Sequence, residues 1–258
     1  MRYHESMTGQ LTRLAGLYEA KTRKKFGREI AEGLPAGLEA LASAPERVLD
    51  VYATEEVFAR PEVARLASGH YRHAITPALA RKISPSCQGL IVCLERGPEG
   101  DIDGILDGDL AVLACEMQDP GNAGSLIRTA DAAGADGVLF GRGSADHTSP
   151  KVIRFAAGST YHLPIATGEV ADIVAAARGR MQVLAGDGKG KMLGTAEIDF
   201  SAPTLWLLGN ESRGLGEYRD LADHVVSAPI FGRAESLNAT QAAALLMYET
   251  ARAQHASG

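Results

Sequence analysis

From about residue 109 onward, short apolar runs alternate with segments of helical pattern. The apolar runs cover residues 110–117, 137–141, 181–186, 204–208 and 224–229, and the helical segments cover residues 123–133, 170–177 and 239–251. Strands that are apolar almost throughout and alternate with helices indicate a parallel sheet covered on both faces. The sequence therefore predicts an α/β fold for this part of the chain, with its ligand site beyond the carboxyl ends of the strands.

Three polar, glycine-containing junctions follow these runs. They read QDPGNAGSLIR at 118–128, LGNESRG at 208–214 and ESLNAT at 235–240. In the first, Asn122 is the predicted N-cap of a helix, and Arg128 is near enough to bind an anion at that helix start through its planar guanidinium. In the second, Glu211 stands between glycines, which let a backbone approach a ligand closely. In the third, Ser236 and Asn238 begin a helix, where each caps it or binds a ligand.

Each junction alone also fits a plain structural role: a capped helix with a solvated arginine, an exposed acidic turn, or a second helix cap. Because all three follow strands of one predicted sheet, together they favour a single ligand site. The glycine-rich segment 186–191 matches neither the phosphate-loop spacing nor the dinucleotide fingerprint, so we predict a loop there.

Residues 1–95 have the pattern of a small α/β domain. Strands are predicted at 47–53 and 89–94, with a helical spacing over 28–41 that Gly33 and Pro35 interrupt. Residues 96–106, rich in glycine and aspartate, are the predicted linker to a second domain, residues 107–258. Residues 1–30 carry seven Lys or Arg against three acids, within a chain of net charge −6. This local basic patch predicts phosphate contacts, and a solvated, partly flexible N-terminal segment is the alternative.

Several classes of protein are disfavoured by composition. The sequence has no apolar run of the roughly 20 residues that a membrane span needs, and its polar N-terminus does not resemble a signal peptide. We therefore expect a cytoplasmic protein without a membrane partner. Cys87, Cys93 and Cys115 stand at spacings that match no zinc or redox motif. We expect them to be buried thiols, and we expect no bound metal.

The three junctions, in their order and spacing, resemble the motifs of the SpoU-type (TrmH-like) RNA ribose 2′-O-methyltransferases of the SPOUT class. Residues 119–136 resemble the first motif, 149–159 the segment after it, 208–214 the second motif and 236–238 the third. Residues 26–33 resemble the ribosomal-protein-like RNA-binding domain that many members carry. The resemblance implies a parallel-sheet domain with a C-terminal trefoil knot, preceded by a small α/β RNA-binding domain. It also implies a homodimer that uses S-adenosyl-L-methionine.

Carried over by position, the resemblance implies three groups of site residues. The cofactor would be held by Leu208, Gly209, Ala228, Ile230 and Leu237; the catalytic cluster would be Asn122, Arg128, Glu211, Ser236 and Asn238; and RNA would be bound by Arg23, Lys24, Lys25, Arg28, Lys151 and Arg154. The chain departs from the family pattern at 228–230, Ala-Pro-Ile instead of the common Ile-Pro-Met, where backbone contacts should survive. It also departs at 239–240, where Ala-Thr replaces Val-Ser or Val-Gly and the threonine retains a hydroxyl.

The implied activity is methyl transfer from S-adenosylmethionine to a ribose 2′-hydroxyl of RNA, with ribosomal RNA favoured by the front domain. Transfer RNA is the alternative within the same class. A non-catalytic RNA-binding or ribosome assembly factor and a small-molecule α/β enzyme are alternatives from other classes. The joint presence of Asn122, Arg128, Glu211 and Asn238 disfavours a protein that only binds, and the basic residues 21–28 count against a small-molecule enzyme.

The proton acceptor is the open point of the mechanism. The family is often described with its first-motif arginine, here Arg128, as the general base. Because a guanidinium is very hard to deprotonate in a protein, we expect Arg128 to bind phosphate and to stabilise the developing alkoxide. Glu211, or a water that it orients, would then accept the proton, although a structural role for Glu211 is the alternative.

Overall fold

The computed structural model describes residues 1–194, 197–210 and 212–256, and the chain divides into two compact units. The first unit comprises Met1–Pro98 and Thr148–His162, and the second comprises Glu99–His147 and Leu163–Gly258. The strands are β1 (Arg2–His4), β2 (Arg28–Glu32), β3 (Val48–Ala53), β4 (Tyr71–Ile75), β5 (Leu90–Glu95), β6 (Leu110–Ala114), β7 (Gly137–Gly141), β8 (Ile165–Gly168), β9 (Gln182–Met192), β10 (Thr204–Leu208) and β11 (His224–Ser227). The α-helices are α1 (Gly9–Gly16), α2 (Ala20–Phe26), α3 (Leu34–Ser43), α4 (Glu55–Phe58), α5 (Pro61–Leu66), α6 (Pro77–Ile83), α7 (Ile102–Leu106), α8 (Pro120–Ala132), α9 (Pro150–Ala156), α10 (Val170–Ala177) and α11 (Ala239–Ala256). In the described part of the chain, no helix is both long and apolar enough to cross a bilayer.

The first unit is built on a five-stranded mixed sheet in the order β1-β4-β3-β5-β2. Strands β1, β4 and β3 are parallel, and β5 runs antiparallel to its neighbours β3 and β2. Because successive side chains of a strand point to opposite faces of the sheet, β5 contributes side chains to two hydrophobic cores. Leu90 and Val92 pack with residues of α3, α4, α5 and α9, whereas Ile91 and Cys93 pack with residues of α1 and α6. Both faces of this sheet are therefore covered by helices.

The helical spacing predicted over residues 28–41 is wrong for its first part. Residues Arg28–Glu32 form β2 and pair with β5, and helix α3 begins only at Leu34. Gly33 separates the two elements with φ of 83°, a conformation that favours glycine, and Pro35 stands in the first turn of α3. Pairing with a strand some 60 residues away along the chain thus overrides a local spacing that fits a helix.

The segment Thr148–His162 contributes α9 to the first unit, although it lies in sequence between β7 and β8 of the second. Ile153 of α9 is fully buried in the first unit's core. Gly158, just after α9, has φ of 106°, and an added Cβ would lie 2.4 Å from Cβ of Glu39. Only glycine fits so close to a neighbouring helix in this conformation.

The second unit contains a six-stranded sheet in the order β11-β9-β10-β6-β7-β8, with every pair of neighbours parallel. This confirms the predicted α/β fold with a parallel sheet. On one face, Ile105 and Leu106 of α7 pack with Ile173 and Val174 of α10 and with side chains of the strands. The C-terminal helix α11 packs against α8 and against β6, β9 and β10. Helix α7 occupies part of the predicted linker at 96–106.

Strand β9 is longer than predicted. It continues through residues 186–191, where a loop was predicted, and after an irregularity between Val225 and Val226 it pairs again with β11. At Gly190, an added Cβ would lie 2.6 Å from the backbone nitrogen of Val226, so a side chain has no room there. Gly190 therefore allows the close approach of β11 on which this pairing depends.

Candidate active site

The parallel sheet brings the three junctions to one edge. They follow β6, β10 and β11, and in the sheet β6 adjoins β10 while β9 alone separates β10 from β11. The contact that demonstrates their approach joins the first and third junctions: Nδ2 of Asn238 donates to Oδ1 of Asn122 over 3.1 Å. These two amides are 116 residues apart in sequence, so the fold, and not the chain's local geometry, brings them together.

The first junction begins helix α8 earlier than predicted. The N-cap is Asp119, whose carboxylate accepts from the backbone N–H of Asn122 over 2.8 Å, and Pro120 stands at the first helical position. The prediction of Asn122 as N-cap is therefore wrong. Proline is well suited to the first position because no intrahelical donor is needed there. The capping bond comes from Asp119, and the Asn122 side chain accepts a hydrogen bond from Asn238.

Arg128 lies on the third turn of α8 and is exposed. Among the residues that the structure describes, no acceptor makes a hydrogen bond or an ion pair with its guanidinium. A fully charged, exposed fork of this kind is suited to a phosphate. Its position on a firmly capped helix fixes the backbone from which it acts.

The second junction is a closed turn in which Asn210 makes most of the bonds. Its Oδ1 accepts from the backbone N–H of Ser212 over 3.0 Å, and its Nδ2 donates to the carbonyl of Glu116 over 2.9 Å. The backbones of Asn210 and Gly214 exchange two hydrogen bonds of 2.9 Å. Glu211, predicted as catalytic, lies outside the described residues.

Gly209 is required by this turn. A Cβ at position 209 would lie 2.3 Å from the carbonyl carbon of Gly214 and 2.4 Å from the backbone nitrogen of Leu215. Backbone atoms cannot move aside as a flexible side chain can, so the second junction keeps its shape only with glycine at this position. Leu208, just before it, is buried, and its carbonyl accepts from the backbone N–H of Cys115 over 2.7 Å. Burial raises the pKa of the Cys115 thiol to about 12.

The third junction is more open than the other two. Ala228 and Leu237 are partly buried, Ser236 is exposed, and Ile230 is 41% exposed. Asn238 precedes α11, and its Oδ1 accepts from the backbone N–H and the hydroxyl of Thr240 over 2.9 and 2.6 Å. Asn238 therefore has two functions at once, since it caps α11 with its oxygen and binds Asn122 with its nitrogen.

Glu116 is a further residue of the site that the sequence did not predict. It follows β6 with φ of 53°, and its carboxylate accepts from Nη2 of Arg213 over 2.8 Å and from the Tyr218 hydroxyl over 3.3 Å. Desolvation, with the Glu116 charge as a further cause, raises the pKa of Tyr218. Glu116 thus joins the end of β6 to the second junction. Its left-handed conformation has no sequence signature, because that region usually signals glycine or asparagine.

The predicted RNA contacts differ in their surroundings. Lys24, Lys25, Arg28 and Lys151 are exposed in the first unit. Arg23 is 3% exposed, and its Nη1 donates to the carbonyls of Leu17 and Tyr18 at the end of α1. The prediction of a phosphate contact for Arg23 is therefore wrong, because its guanidinium is enclosed by the unit's own backbone.

Arg154 is partly buried, and its Nε lies 3.6 Å from Oε1 of Glu32. Glu32 is itself buried and accepts from the hydroxyls of Tyr18, Ser84 and Ser86. The Arg154 side chain thus compensates a buried carboxylate, which is a structural role that the sequence pattern did not suggest.

All three cysteines are free and buried, as predicted. Across the described residues, no group of three or more His, Cys, Asp or Glu side chains is arranged to hold a metal ion. The groups that the fold gathers at the end of the parallel sheet are amides, a guanidinium and glycine-containing turns.

Comparisons with known proteins agree with this site. The model of the SpoU rRNA Methylase family matches residues 109–248. The 23S rRNA (uridine(2479)-2′-O)-methyltransferase of Streptomyces viridochromogenes is 41% identical over 177 residues, which are 65% of this chain and 61% of that protein. The 23S rRNA (guanosine(2553)-2′-O)-methyltransferase RlmP of Bacillus subtilis is 38% identical over 141 residues, 51% of this chain and 54% of that one. The alignments thus span less than two thirds of these relatives.

Solved structures of similar proteins cover nearly the whole chain. The crystal structure of the SpoU methyltransferase AviRb from Streptomyces viridochromogenes in complex with AdoMet superposes with a TM-score of 0.82 and 29% identity. The superposition covers 98% of this chain and 100% of that one. The likeness therefore extends beyond the segment that the family model matches.

Proposed function

The chain belongs to the SpoU rRNA methylase family, and on this premise we propose that it transfers a methyl group from S-adenosylmethionine to a ribose 2′-hydroxyl of RNA. The observation that carries the proposal is the bond between Asn122 and Asn238, which joins two of the three motif junctions at the carboxyl edge of the parallel sheet. Ribosomal RNA is the preferred substrate in this proposal, because the two similar proteins described above are 23S rRNA methyltransferases.

We assign the cofactor to the second and third junctions. S-adenosylmethionine supplies a methyl group activated by a sulfonium. The closed turn after Leu208, with Gly209 at its start, offers backbone groups, and Ile230 offers an exposed apolar side chain. Ala228 and Leu237 complete the proposed set with backbone and apolar contacts.

Five side chains form the proposed catalytic cluster: Asn122, Arg128, Glu211, Ser236 and Asn238. Holding the ribose oxygen in line supplies much of the rate in such a transfer. The Asn122–Asn238 pair fixes two helix starts for that purpose, and the exposed Arg128 guanidinium binds a phosphate and stabilises the developing alkoxide. Glu211, directly or through water, is the proposed proton acceptor.

Replacing Arg128 with lysine tests this division of roles. A lysine can lose its proton at high pH but cannot reproduce the two-pronged geometry of a guanidinium. We expect Arg128→Lys to stay slow at every pH. Full recovery of the methyl transfer rate at high pH would show that Arg128 is the base.

We propose that residues 1–95 form the RNA-binding domain and residues 107–258 the methyltransferase domain, except for Thr148–His162, which packs with the first unit. Lys24, Lys25, Arg28 and Lys151 are exposed and cationic, which supports phosphate contacts. Arg154 remains a proposed RNA contact, but its guanidinium also forms an ion pair with the buried Glu32 carboxylate.

We further propose the family's trefoil knot, its homodimer and a cytoplasmic location. For the knot, the support is the packing of α11 back onto α8 and the central strands. For the dimer, it is the exposure of apolar side chains at the third junction and on α11, including Phe231 at 90% and Tyr248 at 49%. Sedimentation equilibrium tests the dimer directly.

The activity is tested by incubating the protein with labelled S-adenosylmethionine and purified ribosomal or transfer RNA, followed by nucleoside analysis. A 2′-O-methylated nucleoside from ribosomal RNA is the expected result. The same product from transfer RNA alone would replace the substrate assignment. Absence of S-adenosylmethionine binding would favour the alternative of a non-catalytic RNA-binding or assembly factor.

A further inference from the structure

The first unit contains a partly open cavity of about 270 Å³ between helix α1, the end of α2 and the sheet. Its inner wall is apolar and closed: Leu14, Leu17, Tyr52 and Cys93 line it, and each is at most 3% exposed. Pockets for drug-sized ligands measure roughly 300–1,000 Å³. This cavity, slightly smaller, is therefore suited to one smaller group.

The polar groups of the cavity are held in place by a network. The Gln10 amide donates to the Tyr52 hydroxyl over 2.9 Å, and Nε2 of His73 lies 2.8 Å from Oδ1 of Asp50. The rings of Tyr52 and His73 stack with centroids 4.6 Å apart. Asp50 lines the cavity, and within the described residues its second oxygen, Oδ2, accepts no hydrogen bond. A pre-ordered carboxylate oxygen therefore remains for a donor on a ligand.

The rim of the cavity is aromatic and cationic. Phe26 is 48% exposed, and Nζ of Lys25 lies 5.3 Å from the centre of its ring. Arg13 and Arg28 also line the cavity and are exposed. An aromatic face, a recessed hydrogen-bond acceptor and cations at the rim are the three contacts that single-stranded RNA-binding proteins make with base face, base edge and phosphate.

We propose that this cavity binds one unpaired nucleotide of the RNA whose base carries an amino group, that is guanine, adenine or cytosine; this inference rests on the proposed function. The base stacks against Phe26, its amino group donates to Asp50, and Arg13 and Arg28 bind the flanking phosphates. Uracil has no amino donor, and its one base-edge donor, N3–H, lies between two carbonyl oxygens that a carboxylate repels, so uracil is disfavoured. The cavity thus gives the first unit a base preference in addition to attraction by charge.

The test uses the full chain and labelled five-nucleotide RNAs that differ only in the central base, in a uridine context. We expect the wild type to bind central guanine, adenine or cytosine about fivefold or more tightly than uridine. Phe26→Ala should weaken binding of all the preferred oligonucleotides by about fivefold or more. Tyr71→Ala is the matched control, because Tyr71 is 79% exposed in the same unit and does not line the cavity.

Two further variants separate base from phosphate contacts. Asp50→Asn should abolish the preference over uridine, with thermal melting used to check that the His73 network survives. Arg13→Gln should lower the slope of log affinity against log salt by about 0.7 and leave the base preference intact. Equal binding of the four oligonucleotides would overturn the inference, and so would an unchanged affinity of Phe26→Ala. It would also be overturned if free guanosine monophosphate bound as tightly as the oligonucleotide with central guanine.

Methyl transfer by the same preparations distinguishes the two proposals. Transfer to ribosomal RNA without any base preference in binding would leave the proposed function standing and overturn the inference about the cavity. A base preference that Asp50→Asn abolishes, in a protein that transfers no methyl group, would support the cavity and count against the proposed function.

Discussion

The bond between Trp206 and Thr250 anchors the C-terminal helix to the sheet, and its removal has a calculable cost. The indole Nε1 donates to Oγ1 of Thr250 over 3.0 Å, and both residues are 0% exposed. Thr250→Val keeps the size of the side chain but leaves the indole N–H without an acceptor. An unsatisfied buried donor costs about 1–3 kcal/mol. With about 2–4 °C per kcal/mol for a chain of this size, we expect the melting temperature to fall by about 2–12 °C.

The assays are thermal melting, which gives the melting temperature, and urea unfolding, which gives the free energy of unfolding; both are followed by fluorescence of the single tryptophan of the chain. Thr129→Val in α8 is the matched control, because the Thr129 hydroxyl makes no hydrogen bond within the described residues. A double-mutant cycle with Trp206→Phe, followed by circular dichroism, should return a coupling energy of about 1 kcal/mol or more. A Thr250→Val variant as stable as the wild type within about 0.3 kcal/mol would refute the reasoning.

Three other predictions address the candidate site. Gly209→Ala forces the backbone of Gly214 to move, and overpacking of this kind costs about 1–3 kcal/mol. We therefore expect calorimetry to show about tenfold weaker binding of S-adenosylmethionine. An unchanged affinity would contradict the role of this turn in binding the cofactor. Asn238→Asp keeps the oxygen that caps α11 but loses the donor to Asn122, so methyl transfer should slow. The roughly 1 kcal/mol loss of stability expected for Asn238→Ala should not occur in Asn238→Asp. Equal transfer rates in Asn238→Asp and wild type would argue against a role for the Asn122–Asn238 bond. Burial raises the pKa of Cys115 from 9.0 to about 12. The buried neutral thiol therefore contributes its full stabilisation below pH 9, and this contribution is lost as pH rises towards 12. Rapid iodoacetamide labelling of Cys115 in the folded protein at pH 8 would disprove its burial as a neutral thiol.

The parallel sheet of the second unit could be predicted because its strands are buried on both faces. Segments such as Thr204–Leu208 are then apolar throughout, and that signal is local. The motif junctions could be located for the same reason, since each follows such a strand. What the sequence could not show is which polar atoms meet there. The Asn122–Asn238 bond depends on the strand order, and no local pattern specifies it.

The failures have a common physical cause. Residues 28–32 fit a helical spacing yet pair with β5, and residues 186–190 are rich in glycine yet extend β9. In both cases a partner far along the chain decided the conformation. Arg23 was assigned to RNA by its charge, but the free carbonyls at the end of α1 bind its guanidinium instead. Charge alone does not reveal whether a side chain faces solvent or its own backbone.

The position of α9 in the chain has a consequence for biosynthesis. The first unit includes Thr148–His162, which carries the buried core residue Ile153, so the unit is complete only after the ribosome has added 64 residues beyond Pro98 (162 − 98 = 64). At about 5–20 residues per second, this is a delay of roughly 3–13 s. During that interval the buried Glu32 carboxylate also lacks its Arg154 partner. The first unit is therefore completed only at residue 162, when Glu99–His147 of the second unit has been made and Leu163–Gly258 has not.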